Sequence, residues 1–190
     1  MLNFVCMKTI ETGIPDLFVV EPTVFSDERG YFFESYNTSK FNDLKLSCNF
    51  VQDNESASNY GVIRGLHYQL APFAQTKLVR VIVGKVYDVA VDIRKNSPTF
   101  GKCFGIELSD ENKLQLYIPQ GFAHGFAVIS EKAIFSYKCD QLYNKESERG
   151  IFYNDKFLDI KWPVSIEKTI VSEKDRNLPF FTEAEMNFVY

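Results

Sequence analysis

The sequence predicts an all-β fold, and three observations carry that prediction. From residue 50 onward, short runs rich in Val, Ile, Leu and aromatic residues recur at close spacing. Turn-forming stretches separate them: Asn59-Tyr60-Gly61, Gly84-Lys85, Asn96-Ser97-Pro98, Ser109-Asp110-Glu111-Asn112 and Pro119-Gln120-Gly121. No helical pattern of about 10 to 15 residues intervenes, which favours a sandwich, jelly roll or barrel over a parallel α/β sheet.

In order, residues 9–15 read as an irregular entry and residues 17–20 as a short apolar strand ended by Pro22. Residues 25–30 form a polar turn before an aromatic strand over 31–36. Residues 38–46 suit a short helix, capped by Thr38 or Ser39, with Phe41, Leu44 and Leu46 on one face. The β-branched runs 78–83 and 86–93 meet at Gly84-Lys85, the pattern of a hairpin, and the broken alternation at Val89-Ala90-Val91 predicts burial on both faces. Strands follow over 114–118, 126–129 and 133–137. After Gly150 the character changes. Residues 170–172 read as a last strand, residues 182–185 as the start of a capped helix, and the tail as an appendage of modest stability. No repeat or linker interrupts the chain, so one domain over 1–190 is expected.

Composition excludes several function classes. With 45% hydrophobic and 24% charged residues the chain can bury a sizeable core, and a net charge of −4 without a basic run argues against nucleic acid as a partner. No window approaches the ~18 apolar residues of a membrane span, and residues 1–7 lack the charged start and apolar run of a secretion signal. A cytoplasmic protein with no membrane partner is expected. Cys6, Cys48, Cys103 and Cys139 are widely spaced, without a C-x-x-C pair, and read as ordinary reduced thiols.

The chemistry concentrates in Arg64-Gly65-Leu66-His67-Tyr68-Gln69. An imidazole and a guanidinium three residues apart lie on opposite faces of a regular strand, so a bulge or twist is required to aim both at one ligand. The chain has two histidines, and the second lies in Gly121-Phe122-Ala123-His124-Gly125-Phe126. Two histidines fall short of the cluster that a cupin-type metal site uses, so no metal is expected. The sequence contains no G-x-S-x-G, Walker loop or G-x-G-x-x-G, which leaves acid and base chemistry without a cofactor. In isolation Arg29 reads as the surface partner of Asp27 or Glu28.

Eight segments in order carry a resemblance across nearly the whole chain: Phe25-Ser26-Asp27-Glu28-Arg29-Gly30, Gln52-Asp53-Asn54, the Arg64 to Gln69 segment, Lys77-Leu78-Val79-Arg80, Asp88 to Arg94 with Ser97-Pro98-Thr99-Phe100-Gly101, the His124 segment, Trp162-Pro163 and Ser172-Glu173-Lys174-Asp175. Together they resemble the dTDP-4-dehydrorhamnose 3,5-epimerase family. The resemblance implies a double-stranded β-helix jelly roll (cupin-like) with short flanking helices, a homodimer, and a dTDP-linked 4-keto sugar as substrate. It implies that dTDP-4-dehydro-6-deoxy-D-glucose is epimerised at C3 and C5; the alternative is inversion at C3 or C5 alone in another nucleotide-linked 4-keto-6-deoxy sugar.

The resemblance also implies roles. His67 is the base, Asp175 its orienting carboxylate, Tyr137 the acid across the ring, with Tyr143 its rival, and Lys77 the stabiliser of the enolate oxygen. Arg29, Glu34, Gln52, Asn54, Arg64, His124, Glu148 and Lys174 match substrate-binding positions. The side chains suit those tasks: imidazole titrates near neutral pH, a carboxylate partner fixes its tautomer, and a cation stabilises a developing oxyanion. Many family members carry two successive aromatics where this chain has Leu142-Tyr143.

Overall fold

The computed structural model describes residues 7–46 and 48–190. Thirteen strands are named among them: β1 Lys8–Glu11, β2 Phe18–Glu21, β3 Phe25–Asp27, β4 Gly30–Phe32, β5 Gln52–Asn59, β6 Ile63–Gln69, β7 Lys77–Val83, β8 Lys85–Asp92, β9 Cys103–Ser109, β10 Gln115–Ile118, β11 Phe122–Val128, β12 Lys132–Cys139 and β13 Glu148–Gly150. A six-stranded sheet runs β1-β2-β10-β7-β12-β5, a five-stranded sheet runs β13-β6-β11-β8-β9, and β3 and β4 form a separate pair. Every strand pair within them is antiparallel. The architecture is a cupin-like jelly roll.

Three apolar layers follow from strand alternation. Between the sheets lie Val79, Val81, Val86, Ala90, Leu116, Phe122, Phe126 and Phe135. The outer face of the six-stranded sheet is covered at Val20, Leu78 and Tyr117 by Met7, Phe41 and Leu46. Phe41 belongs to the helix α1, Thr38–Asp43, whose N-cap is Asn37 rather than Thr38 or Ser39. The outer face of the five-stranded sheet, at Leu66, Val89, Val91 and Ala123, is covered by Trp162, Val171, Phe181, Met186 and Phe188. Val89-Ala90-Val91 is therefore buried on both faces, as the sequence predicts.

Four expectations are corrected. The entry is not wholly irregular, because Lys8–Glu11 pairs with β2 as an edge strand. Residues 78–83 and 86–93 are not a hairpin: β7 joins one sheet and β8 the other, and Gly84 turns the corner at φ +81°. A Cβ there would lie 2.1 Å from the Lys132 carbonyl oxygen, so the corner is packed too tightly for a side chain. The aromatic strand stops at Phe32, and β3 pairs with β4 where a plain turn is expected. The tail is packed core, not an appendage: residue 170 makes a single bridge to Val62, residues 181–183 form a turn where a helix is expected from 182, and the helix falls instead at Glu173–Arg176, here α2. Its apolar side chains find the exposed side of β6, β8 and β11, and full burial of each contributes about 1.5 to 3 kcal/mol.

Candidate active site at one mouth of the jelly roll

The bulge that the sequence requires is present. On β11 His124 stands opposite His67 and Phe126 opposite Arg64, so β6 spends three residue steps where β11 spends two. The extra residue moves Arg64 onto the face that carries His67. Gly65 and Gly125 permit this. A Cβ on Gly65 would lie 2.5 Å from the Gly125 Cα and 2.8 Å from the His124 carbonyl oxygen, and Gly65 holds φ at +124°.

Directly paired residues share a face of a sheet, so the register names the walls of the mouth. On the five-stranded sheet His67 pairs with His124 and Gly150, and Gln69 with Glu148. On the six-stranded sheet Tyr137 pairs with Asn54 and Val79, and Cys139 with Gln52 and Lys77. Val79 and Phe126 belong to the layer between the sheets, so both sets point inward. A cleft lined by Arg64, His67, Ser172, Lys174 and Asp175 opens beside them.

His67 Nε2 lies 2.8 Å from Asp175 Oδ1, and its side chain is 30% exposed. Asp175 is buried in α2, where Ser172 caps the helix by accepting the Asp175 backbone N–H. Its second oxygen accepts the Gly65 N–H at 3.2 Å. Burial opposes ionisation of Asp175, but the hydrogen bond and charge of His67, with the Gly65 and Ser172 bonds, hold its carboxyl below the ordinary range. A carboxylate at Nε2 favours the tautomer in which Nε2–H donates and Nδ1 carries the free lone pair.

The Lys77 ammonium lies 5.8 Å from the centre of the Tyr137 ring and makes no hydrogen bond or ion pair among the described residues. Burial lowers its pKa, against the opposing charges of Cys139, Asp88 and Glu148. Burial raises the Tyr137 pKa, with Cys139 and Glu148 adding to it and Arg64 opposing, so the phenol keeps its proton at neutral pH. Glu148 is also withdrawn from water, yet Lys174 at 2.6 Å, the Tyr143 hydroxyl at 2.8 Å and the charge of His67 hold its carboxyl below the ordinary range. The rival acid Tyr143 is thus tied to Glu148 at the rim.

Other predicted residues fall into two groups. Gln52 donates to Asn54 and accepts the Tyr143 backbone N–H, and Asn54 Nδ2 lies 3.8 Å from Cys139 Sγ, so these amides stand at the same wall. Arg64 donates to Ser58 across the mouth. Arg29 and Glu34 are not brought there. Arg29 is held by Asp27 on the exposed β3–β4 pair, and Glu34 by Lys40 and Asn37 before α1. Asp88 escapes sequence reasoning, although both its oxygens lie 3.0 Å from His124 Nε2. Its inward position follows only from the register of β8. The described residues include no group of three or more His, Cys, Asp and Glu side chains arranged to hold a metal.

The fold and this gathering of ionisable groups define a cupin-like jelly-roll protein with an imidazole–carboxylate pair, an unengaged ammonium and a neutral phenol at one mouth. The family model described as dTDP-4-dehydrorhamnose 3,5-epimerase matches residues 11–183, and the chain belongs to that family. It is 55% identical over 180 residues to the Shigella flexneri dTDP-4-dehydrorhamnose 3,5-epimerase, covering 94% of this chain and 98% of that protein. The crystal structure of the Elizabethkingia anophelis enzyme of the same name is 58% identical, with a TM-score of 0.89 over 93% of this chain and 97% of that one. A Legionella pneumophila dTDP-6-deoxy-D-glucose-3,5-epimerase in complex with dTDP-4-keto-L-rhamnose is 48% identical, with a TM-score of 0.89 over 93% of this chain and 94% of that one.

Proposed function

We propose that this protein epimerises dTDP-4-dehydro-6-deoxy-D-glucose at C3 and C5, giving dTDP-4-dehydro-L-rhamnose, with residues 1–190 acting as one catalytic domain. The observation that carries the assignment of roles is the 2.8 Å contact of His67 with Asp175, facing the unengaged Lys77 ammonium and the Tyr137 phenol. Hydrogens at C3 and C5 both flank the C4 carbonyl and are acidified by it. His67 Nδ1 removes one, and Asp175 supports the imidazolium that forms. Lys77 stabilises the enolate oxygen, and Tyr137 returns a proton to the opposite ring face. Repetition at the second carbon inverts both centres.

Arg64, Gln52, Asn54, His124, Glu148 and Lys174 are proposed to hold the nucleotide sugar, with the guanidinium fork and ammonium suited to its diphosphate. Arg29 and Glu34 reach a substrate only if a second copy brings them. We therefore include a homodimer in the proposal, in which the exposed β3–β4 pair with Tyr31 and Phe32 enters the neighbouring site. Sedimentation showing a fully active monomer would overturn that arrangement. No described helix is long and apolar enough to cross a membrane. The free thiols Cys48, Cys103 and Cys139 suit the reducing cytoplasm, where we place the reaction.

Proton NMR of the substrate in deuterated buffer tests the function. Exchange at both C3 and C5, lost with His67→Ala, is the expected result. Exchange at one carbon would reassign the protein as a single-site epimerase, and none at either would overturn the reaction.

A further inference from the structure

Asp88 has no part in the mechanism above, yet it is fully buried at the same mouth. It lies on β8 between Val86 and Ala90, both of the layer between the sheets. Among the described residues its side chain has one hydrogen-bonding partner, His124 Nε2, shared by both carboxylate oxygens at 3.0 Å. Withdrawing a carboxylate from water is costly, so such a group persists where hydrogen bonds and a nearby cation compensate it.

Lys77 stands on the opposite sheet and faces the same interior: it pairs with Ile118, as Asp88 pairs with Phe126, and both partners belong to the layer between the sheets. The Lys77 side chain is half-buried, and the groups acting on its charge are Cys139, Asp88 and Glu148. Glu148 is engaged by Lys174 and Tyr143. Burial pushes the Cys139 thiol up to about 11, so it is neutral at physiological pH. Asp88 remains, a carboxyl group that among the described residues is held by His124 and by no lysine or arginine. A direct ion pair would occupy the ammonium protons; an anion clamped one layer back supplies its field and leaves those protons for a ligand.

We propose that Asp88, clamped by His124, is a positioning residue that keeps the Lys77 ammonium protonated and directed at the enolate oxygen of the sugar. The enolate part rests on the epimerase reading; the electrostatic coupling of Asp88 to Lys77 does not. Tyr137 and Cys139 of β12, His67 of β6, His124 of β11 and Glu148 of β13 face the same mouth and remain in an Asp88 variant. A change on substitution therefore reports Asp88 itself.

NMR titration of the Lys77 side chain, without substrate, is compared in the intact protein and in Asp88→Asn. The Lys77 midpoint is expected to fall by about one pH unit or more, the scale of losing a neighbouring charge inside a protein. In the epimerase assay kcat is expected to fall about tenfold or more, its basic limb moving to lower pH, with KM within about threefold. An unchanged Lys77 midpoint, or an effect on KM alone, overturns the proposal. Should the variant not fold, the Asp88 carboxyl carbon resonance of the intact protein must follow the Lys77 titration, and absence of that step overturns it equally. Failure of the intact protein to epimerise would remove the enolate role, while the lysine titration still decides the coupling.

Discussion

His67 and His124 stand directly opposite one another on β6 and β11, yet each imidazole is held by a different carboxylate, Asp175 for the first and Asp88 for the second. Asp175 arrives from the C-terminal tail at the partly exposed His67. Asp88 lies within the sheet beside the buried His124. The same pair of side chains thus occurs once at the rim, where a substrate enters, and once in the wall behind it.

The rim pair governs proton abstraction. Asp175→Asn retains the shape of the carboxylate but not its charge, and it can donate to Nε2 and reverse the tautomer. Deuterium exchange at C3 and C5 should fall about 10²- to 10⁴-fold, with KM little changed. Exchange within twofold of the unsubstituted rate would remove Asp175 from the mechanism.

The same residue sets a dependence of stability on pH. The Asp175 and Glu148 carboxyls titrate lower in the folded protein than in the unfolded chain. The unfolded chain therefore binds more protons in acid, and their contribution is complete above the ordinary carboxylate pKa of about 4 and lost as pH falls through the folded values. In urea melts, the stability gap between the intact protein and Asp175→Asn should be largest near neutral pH and should close below about pH 4. A gap that widens in acid would contradict this.

Gly65→Ala tests the bulge. The added Cβ meets backbone atoms at 2.5 and 2.8 Å, neither of which is the end of a flexible side chain, and the backbone lies at φ +124°. A loss of about 2 kcal/mol or more is expected in chemical denaturation, with misalignment of Arg64 and His67 and reduced exchange. Stability within about 0.5 kcal/mol of the parent would show that the strands separate freely there.

Tyr137→Phe separates abstraction from inversion. Without the phenol, His67 still removes and returns protons on its own face, so solvent deuterium should enter the ligand while inverted product falls about 10²-fold or more. Equal losses of exchange and inversion would indicate that Tyr137 acts before the acid step.

Leu142 is 64% exposed, and its backbone carbonyl accepts from Gln69. Leu142→Tyr supplies an aromatic face at the rim, where stacking on a base is worth about 1 kcal/mol. The KM for the dTDP sugar is expected to fall about fivefold with kcat unchanged. No change in KM would place the thymine away from this position.

By itself the sequence determined the all-β class, the requirement for a bulge between Arg64 and His67, the double burial of Val89-Ala90-Val91 and the motifs that identify the family. These are local properties, readable from alternation, turn chemistry and short spacing. Only the tertiary structure decided that β7 and β8 part at Gly84 into different sheets, that the tail covers β6, β8 and β11, and that Asp88 turns toward His124. It also left Arg29 and Glu34 outside the mouth of their own chain. The physical reason is separation along the chain: His67 meets Asp175 across 108 residues and His124 meets Asp88 across 36. Alternation tells which side of a strand a residue occupies, but strand order and register decide what faces it, and those are set by packing of the whole domain.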